Sequence, residues 1–383
     1  MASNRVLQIV PYHKPAWGFG GPPRVMWEEA RELVRRGNDV IAFTTDANEE
    51  NARLPAGRVV EDGVEIVRFP NVSNWAAYHR YRFTPRGMRA ALQTVEADMM
   101  HLSETRHELA ILAWRAARSR DIPLVVSAHG TLPQRGGVKG TLRKAYDTIF
   151  VNPMLAGSAA VIAQTSHEVA EYEPFGVSAG RVHLIALGVD EPPPPATVPE
   201  LGPPAGARVV LFLGRVHVLK GVERLLRAFG AIAHRHDDTH LVIAGRDDGA
   251  LEQATALAEQ LGVGDRVHFP GGIYGDARFD AYRRADLFAI TPTHFEETSL
   301  ASLEAASVGT PLLLSAQAEA PFLEQYAAGR MIGATEDPAD QLDELLSSDL
   351  TQMGSAARRM VQERHNWRVI GDQLEVLFTE VSR

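Results

Sequence analysis

The sequence contains no cysteine. Disulfides, thiolate nucleophiles and cysteine metal centres are therefore excluded, and a reducing, cytoplasmic setting fits. It also lacks any run of about 18 apolar residues, so no segment reads as a membrane-spanning helix. The short apolar run near the N-terminus reads as a buried strand rather than an export signal. Positive charge is scarce: 39 Lys and Arg stand against 48 Asp and Glu, a formal net charge of −9. That balance argues against a nucleic-acid partner. The deficit is local, with +2 over residues 1–190 and −11 over the remainder.

What is present is ordinary globular material, 45% hydrophobic and 23% charged over 383 residues. That length suits two domains better than one. The recurring pattern is a strand-sized Val- and Ile-rich run followed by a helix-sized amphipathic run. The strand candidates of the first half are Val6–Pro11, Asp39–Thr45, Val64–Phe69, Met99–Ser103, Pro123–Ala128, Ala159–Gln164 and Val182–Leu187. They lack clean alternation, as strands buried on both faces do. Pro23–Arg36 reads as a helix stopped by Gly37.

Proline then clusters between Glu191 and Pro204. Such a stretch is stiff and cannot enter a sheet interior, so residues 191–206 read as a linker. The alternation restarts with strands at Val209–Leu213, His240–Ala244, Arg266–Phe269, Asp286–Ile290, Pro311–Leu314 and Arg330–Ile332. Two amphipathic helices, Asp349–Arg364 and Trp367–Val381, close the chain. The expected class is α/β, with a doubly wound domain over residues 1–190 and another over 207–366. In such sheets ligands bind outside the carboxyl ends of the strands.

Two segments stand at those ends with suitable chemistry. Gly214-Arg215-Val216-His217-Val218-Leu219-Lys220-Gly221 leaves the strand Val209–Leu213 and enters a helix. Two cations beside helix N–H groups suit a diphosphate; a solvated basic loop is the other reading. The second segment is Glu296-Glu297-Thr298-Ser299-Leu300-Ala301-Ser302-Leu303-Glu304. Thr298 and Ser299 are good N-cap residues, so Glu296 precedes a helix and Glu304 lies inside it. A carboxylate on that small, apolar helix needs a partner. Ribose hydroxyls would serve, and so would a Lys or Arg.

These segments, with Ala244-Gly245, the turn Phe269–Ile273, Thr291-Pro292-Thr293 and Gly309-Thr310-Pro311, resemble glycosyltransferase family 4. Gly20-Gly21, Arg36–Val40 and His129-Gly130 match it more loosely, and the resemblance spans nearly the whole chain. It implies the GT-B fold, two Rossmann-like doubly wound domains facing across a deep cleft, with a C-terminal helix (367–383) returning to the first domain. It implies a retaining, metal-independent hexosyltransferase-like enzyme that uses a nucleotide-diphosphate-sugar as substrate and needs no cofactor. Arg215 and Lys220 would hold the diphosphate, Glu304 the ribose, and backbone around Ile273 the base, with Gly214 and Gly245 at the donor. Glu296 and His129 would lie by the transferred sugar, near the N–H groups of Thr298, Ser299 and Leu300. Gly20 and Gly21 would approach the phosphates. Where the family commonly carries an aromatic residue and Gly, this chain has Thr298 and Ser299, which bears on the fit of the sugar.

The acceptor, a glycan or a lipid-linked sugar in surface polysaccharide or glycoconjugate synthesis, is less legible. Arg80, Arg82, Arg86 and Arg89 mix with Trp75, Tyr78, Tyr81 and Phe83; Arg135, Lys139, Arg143 and Lys144 surround Leu142. Such groups suit peripheral contact with a membrane face, or are ordinary exposed arginines beside core aromatics. Asp247-Asp248 is expected in a solvated turn rather than on a metal. Three other activities stay in view: a sugar-nucleotide 2-epimerase of the same fold, a non-catalytic sugar-binding protein, and a dehydrogenase. The last lacks the expected Gly-rich fingerprint, since Gly18-Phe19-Gly20-Gly21 does not match it.

Overall fold

The computed structural model describes residues 4–16, 19, 21–49, 52–133, 137–294 and 298–382. It divides into two compact units, residues 1–187 with 367–383, and residues 188–366. The first unit contains strands β1 (Arg5–Ile9), β2 (Asp39–Thr45), the short ribbon β3 (Ala47–Glu49) and β4 (Ala52–Arg53), and then β5 (Gly57–Glu61). It continues with β6 (Val64–Phe69), β7 (Met99–Ser103), β8 (Leu124–Ser127), β9 (Ala160–Ala163) and β10 (Val182–Leu184). Eight of these form one sheet in the order β10-β9-β8-β7-β1-β2-β6-β5. All neighbours in it are parallel except β5, which pairs antiparallel with β6.

Both faces of the sheet are covered. Leu7, Ile9, Phe43, Met100, Leu102 and Val126 enter one apolar cluster. On the other face His101 meets Phe378 of the C-terminal helix Trp367–Val381, ring centroids 5.4 Å apart. That helix is tied down by Arg36, whose guanidinium donates to Asp372 at 2.7 Å, Glu375 at 3.2 Å and the Arg368 carbonyl at 2.7 Å. Arg36 ends the helix Pro22–Arg35. There the Gly37 N–H reaches the Val34 carbonyl and the Asn38 N–H the Leu33 carbonyl, with Gly37 at φ +87°. This is a Schellman stop, for which glycine is the favoured residue.

The second unit holds β11 (Arg208–Leu213), β12 (Thr239–Ala244), β13 (Val267–Gly271), β14 (Leu287–Ile290), β15 (Leu312–Ser315) and β16 (Gly329–Ile332). They form an all-parallel sheet in the order β13-β12-β11-β14-β15-β16. The proline-rich stretch is strapped to this unit rather than hanging free. The Ala196 N–H donates to both Asp280 oxygens at 3.2 Å, Arg283 bonds the Pro193 carbonyl, and Arg284 reaches the Ala207 carbonyl at 2.8 Å.

Candidate functional site

In the second sheet the chain runs outward from β11 through β12 to β13, then returns to β14 on the other side of β11. The strand order reverses between β11 and β14. Loops leaving two such strands diverge, which opens a crevice at their carboxyl ends. The loop leaving β11 is Gly214–Gly221 and the one leaving β14 begins at Thr291, so the first sequence-predicted segment and the described part of the second, Thr298–Glu304, follow the two strands at this switch point.

The two loops are joined by backbone approach. Gly221 has φ +76°, and a Cβ there would lie 2.1 Å from the Thr291 carbonyl oxygen. The Thr291 hydroxyl donates to the Gly221 carbonyl at 3.2 Å. Gly245, leaving β12, is tighter still: its Cβ would lie 1.6 Å from the Gly214 carbonyl oxygen. Its N–H reaches the Gly271 carbonyl at 2.8 Å, and the Gly214 N–H the Ala244 carbonyl at 3.0 Å. Gly214, Gly245 and the turn carrying Ile273 thus occupy the ends of three neighbouring strands, and at Gly245 no side chain is tolerated.

Arg215 is half-exposed, and its Nη1 donates to Asp248 at 2.5 Å. Lys220 ends the 3-10 turn Val218–Lys220, which His217 caps by accepting from the Leu219 N–H at 3.2 Å. The Asp247 carboxylate accepts from the N–H groups of Gly249, Ala250 and Leu251. Those bonds, the one from Leu251 first, hold its pKa below the usual carboxylate range. Asp247 is thus a helix cap and Asp248 an arginine partner. Among the described residues no group of three or more His, Asp or Glu is arranged to hold a metal ion.

Ser299 occupies the N-cap position of the helix Leu300–Ser307 without making a side-chain cap bond. The Thr298 hydroxyl is used elsewhere, donating to the Glu319 carbonyl at 2.8 Å. Neither side chain caps the helix, so its first N–H groups, which have no partner within it, are left to other acceptors. Glu304 is buried and has found its partner inside the protein. Arg278 grips both its oxygens at 2.8 Å, and the Tyr282 hydroxyl donates at 3.2 Å. Arg278 is thus the arginine partner that the sequence allowed. Glu296 lies outside the described residues.

The first sheet has its own switch point, between β1 and β7. Tyr12 follows β1, Glu104 follows β7, and His129 follows β8. Glu104 and His129 both adopt positive φ, +62° and +50°, a conformation that clusters at functional sites in non-glycine residues. Burial lowers the His129 pKa to about 4, opposed by a hydrogen bond to Gln164, so its ring is neutral at pH 7. Glu168 fixes this loop by accepting from the N–H groups of Gly130 at 3.0 Å and Gln164 at 2.7 Å. Burial also raises the Glu104 carboxyl to about 7, opposed by its hydrogen bond from Tyr12. The sequence reading missed Tyr12, Glu104 and Glu168. Glu104 carried the same signal as His129, a polar residue directly after a buried strand.

Gly20 lies outside the described residues. Gly21 precedes the helix Pro22–Arg35 with φ −72°, and nothing lies within 4 Å of where its Cβ would be. The fold itself therefore does not demand glycine there. In the first basic cluster Arg80 lies over the Trp75 ring and Arg82 faces Glu108 at 3.4 Å. In the second, Arg143 turns inward to the Thr131 carbonyl at 2.5 Å. Lys144 lines a cavity of about 960 Å³ together with Leu132 and Phe175. Arg135 and the side chain of Lys139 fall outside the described residues. No described helix is long and apolar enough to cross a membrane.

Residues 20–188 match the model of a glycosyl transferase 4-like domain, and residues 196–364 that of glycosyl transferases group 1. A D-inositol 3-phosphate glycosyltransferase of Catenulispora acidiphila is 34% identical over 80% of this chain and 77% of its own. One from Xylanimonas cellulosilytica is 28% identical over 93% and 91%. Among solved structures, sucrose-phosphate synthase from Thermosynechococcus elongatus superposes with TM-score 0.74 at 19% identity, covering 99% of both chains. Anabaena HepE in complex with UDP and glucose does so with TM-score 0.70 at 17% identity, covering 98% of this chain and all of that one.

Proposed function

Because the chain belongs to the group 1 glycosyltransferases and has the GT-B fold, we propose that it moves a sugar from a nucleoside-diphosphate-sugar to a glycan or lipid-linked acceptor. Retention of anomeric configuration and independence of metal are part of the same proposal. The observation that carries it is the switch point of the second sheet. There Arg215, Lys220 and the N-terminus of the helix Leu300–Ser307 come from loops locked together at Gly221. Positive groups fixed before the reaction stabilise charge that develops on a leaving diphosphate.

In the proposed step the bond from the anomeric carbon to the phosphate oxygen breaks. A bond from that carbon to the acceptor oxygen forms on the same face, and the acceptor proton passes to the leaving phosphate. Arg215 exchanges Asp248 for phosphate, and Lys220 adds the second cation. The ribose hydroxyls share Glu304 with Arg278. The family resemblance assigns Glu296 and His129, neutral at pH 7, to the transferred sugar. Peripheral contact at the inner face of the membrane belongs to this reading, supported by Leu142 and Ile149, 69% and 60% exposed beside Lys144. Reversing the charges of Arg135, Lys139, Arg143 and Lys144 should release the protein from anionic vesicles, and unchanged partitioning would end that part.

The test of the reaction is incubation with a set of UDP-, GDP- and ADP-sugars and acceptor glycans in EDTA, read by proton NMR. UDP-sugars come first, because HepE was crystallised with UDP. Acceptor-dependent release of nucleotide with the donor's anomeric configuration kept in the product is the expected result. Conversion of the donor to its 2-epimer without an acceptor would establish the epimerase instead.

A further inference from the structure

A continuous line of aromatic rings leads away from Glu104. Tyr12, fully buried at the end of β1, donates its hydroxyl to Glu104 Oε1 at 2.6 Å. The Tyr12 ring stacks on Phe19 with centroids 4.5 Å apart and planes 2° from parallel, and it meets Tyr81 edge-on at 5.8 Å. Phe19 in turn meets Tyr78 at 6.0 Å. Tyr78 meets His79 at 5.3 Å, and His79 meets Trp75 at 5.2 Å. Exposure grows along the line: Tyr81 and Tyr78 are 45% and 41% exposed, and Trp75 56%. Large aromatics held open to solvent in a row are uncommon unless they bind something.

Tyr81 is held at φ +53°, and its hydroxyl approaches that of Tyr12 at 3.3 Å and the Phe19 carbonyl at 3.4 Å. At the inner end, Glu104 is fixed by its own N–H to the Ser127 carbonyl at 2.8 Å. Among the described residues Tyr12 is the hydrogen-bond donor to its carboxyl group, leaving capacity for another. Two cations flank Tyr81 in sequence: Arg82 faces Glu108 at 3.4 Å, and Arg80 lies over the Trp75 ring, 6.0 Å from its centroid, at the outer end. The inner end therefore offers a carboxyl group and phenols, which recognise hydroxyls, and would repel a phosphate at alkaline pH. The outer end offers flat rings with polar edges, which suit the apolar faces of pyranose rings better than an alkyl chain.

We propose that this line is the acceptor platform and that its ligand is an uncharged glycan. Its terminal hydroxyl lies at Glu104, and its preceding residues stack on Tyr81, Tyr78 and Trp75. The inference rests on the transferase reading and deepens it, because it separates this chain's acceptor from the phosphorylated one named for its inositol 3-phosphate relatives.

The test is saturation-transfer NMR of the whole protein against neutral oligosaccharides (malto-, cello- and mannotriose, chitotriose) and against inositol 3-phosphate. It is repeated with Trp75→Ala, Tyr81→Ala and Glu104→Gln, and UDP and GDP binding is measured on the same samples. The expected result is transfer to ring protons of a neutral glycan, weakened tenfold or more in Trp75→Ala and Tyr81→Ala while nucleotide binding is unchanged. Tyr81→Phe, which keeps the ring, should retain most of the signal. Transfer only to inositol 3-phosphate, or neutral-glycan signals equal in all variants, would overturn the platform. Loss of nucleotide binding in the unaltered protein would instead refute the transferase reading beneath it.

Discussion

Replacing Arg278 by Met removes both donors from a carboxylate that stays behind in the helix Leu300–Ser307. The Glu304 side chain is 8% exposed and that of Arg278 18%. Breaking such a pair from one side typically costs about 3–5 kcal/mol, because a charge is left buried without its counter-ion. The Tyr282 hydroxyl remains at 3.2 Å, and Met restores much of the apolar stem contact. The lower end, about 3 kcal/mol, is therefore expected. For a unit of this size that is a fall in Tm of roughly 6–12 °C. Glu304→Gln alone should cost less, about 1–2 kcal/mol, since Arg278 lies near enough to the surface to turn toward water. If the pair is the reason for both losses, the double variant Arg278→Met, Glu304→Gln will be more stable than the sum of the singles predicts. The expected coupling is about 2 kcal/mol. Urea unfolding of the four proteins measures it. Additivity to within about 0.5 kcal/mol would show that Arg278 and Glu304 do not support one another.

Further outcomes follow from other contacts. Gly221→Ala places a methyl group where the Thr291 carbonyl stands; it should separate the two switch-point loops and abolish nucleotide binding detected by calorimetry. Asp248→Asn removes the anion that competes for Arg215. The pair is partly exposed, so nucleotide affinity should rise only modestly, by about fivefold or less; a loss of affinity would refute the competition. Stability of the first unit should peak at about pH 5–6. Burial lowers His13 and His101 to about 3, and His107 and His129 to about 4, from 6.5. The unfolded chain takes up protons the folded one refuses, so these groups cost stability as pH drops below about 6.5. Burial raises Glu29 to about 8 and Glu104, Glu168 and Glu171 to about 7, so the stability they contribute in protonated form is lost as pH rises through those values. Urea melts at about pH 3.5, 5.5 and 8.5 should rank the middle value highest; a steady rise to pH 8.5 would contradict the assignment.

Much of this fold is legible in sequence because parallel strands buried on both faces leave dense apolar runs. Asp39–Thr45, Val64–Phe69 and Met99–Ser103 appear with the expected bounds. The edge strand Gly57–Glu61 was not anticipated. It lies against one neighbour and is largely exposed, so its apolar content is low. Its signal was the turn Asp62-Gly63, both at positive φ, as a two-residue hairpin requires. The position of the loop Gly214–Gly221 at the end of β11 was legible because strand and loop lie in consecutive residues. The Arg278 partner of Glu304 was not, since it arrives from another helix 26 positions away. The aromatic line from Tyr12 to Trp75 was visible only in part. Its outer members are neighbours in the chain, whereas Tyr12 and Glu104 join it through the sheet.

The central claim is a nucleoside-diphosphate site at the β11/β14 switch point. Titration calorimetry of the protein with UDP, GDP and ADP, repeated for Arg215→Ala and Glu304→Ala, tests it most directly. Micromolar binding of one nucleotide, weakened at least about tenfold in both variants, a loss of about 1.4 kcal/mol, is the predicted result. Absence of nucleotide binding, or variants that bind like the unaltered protein, would contradict it.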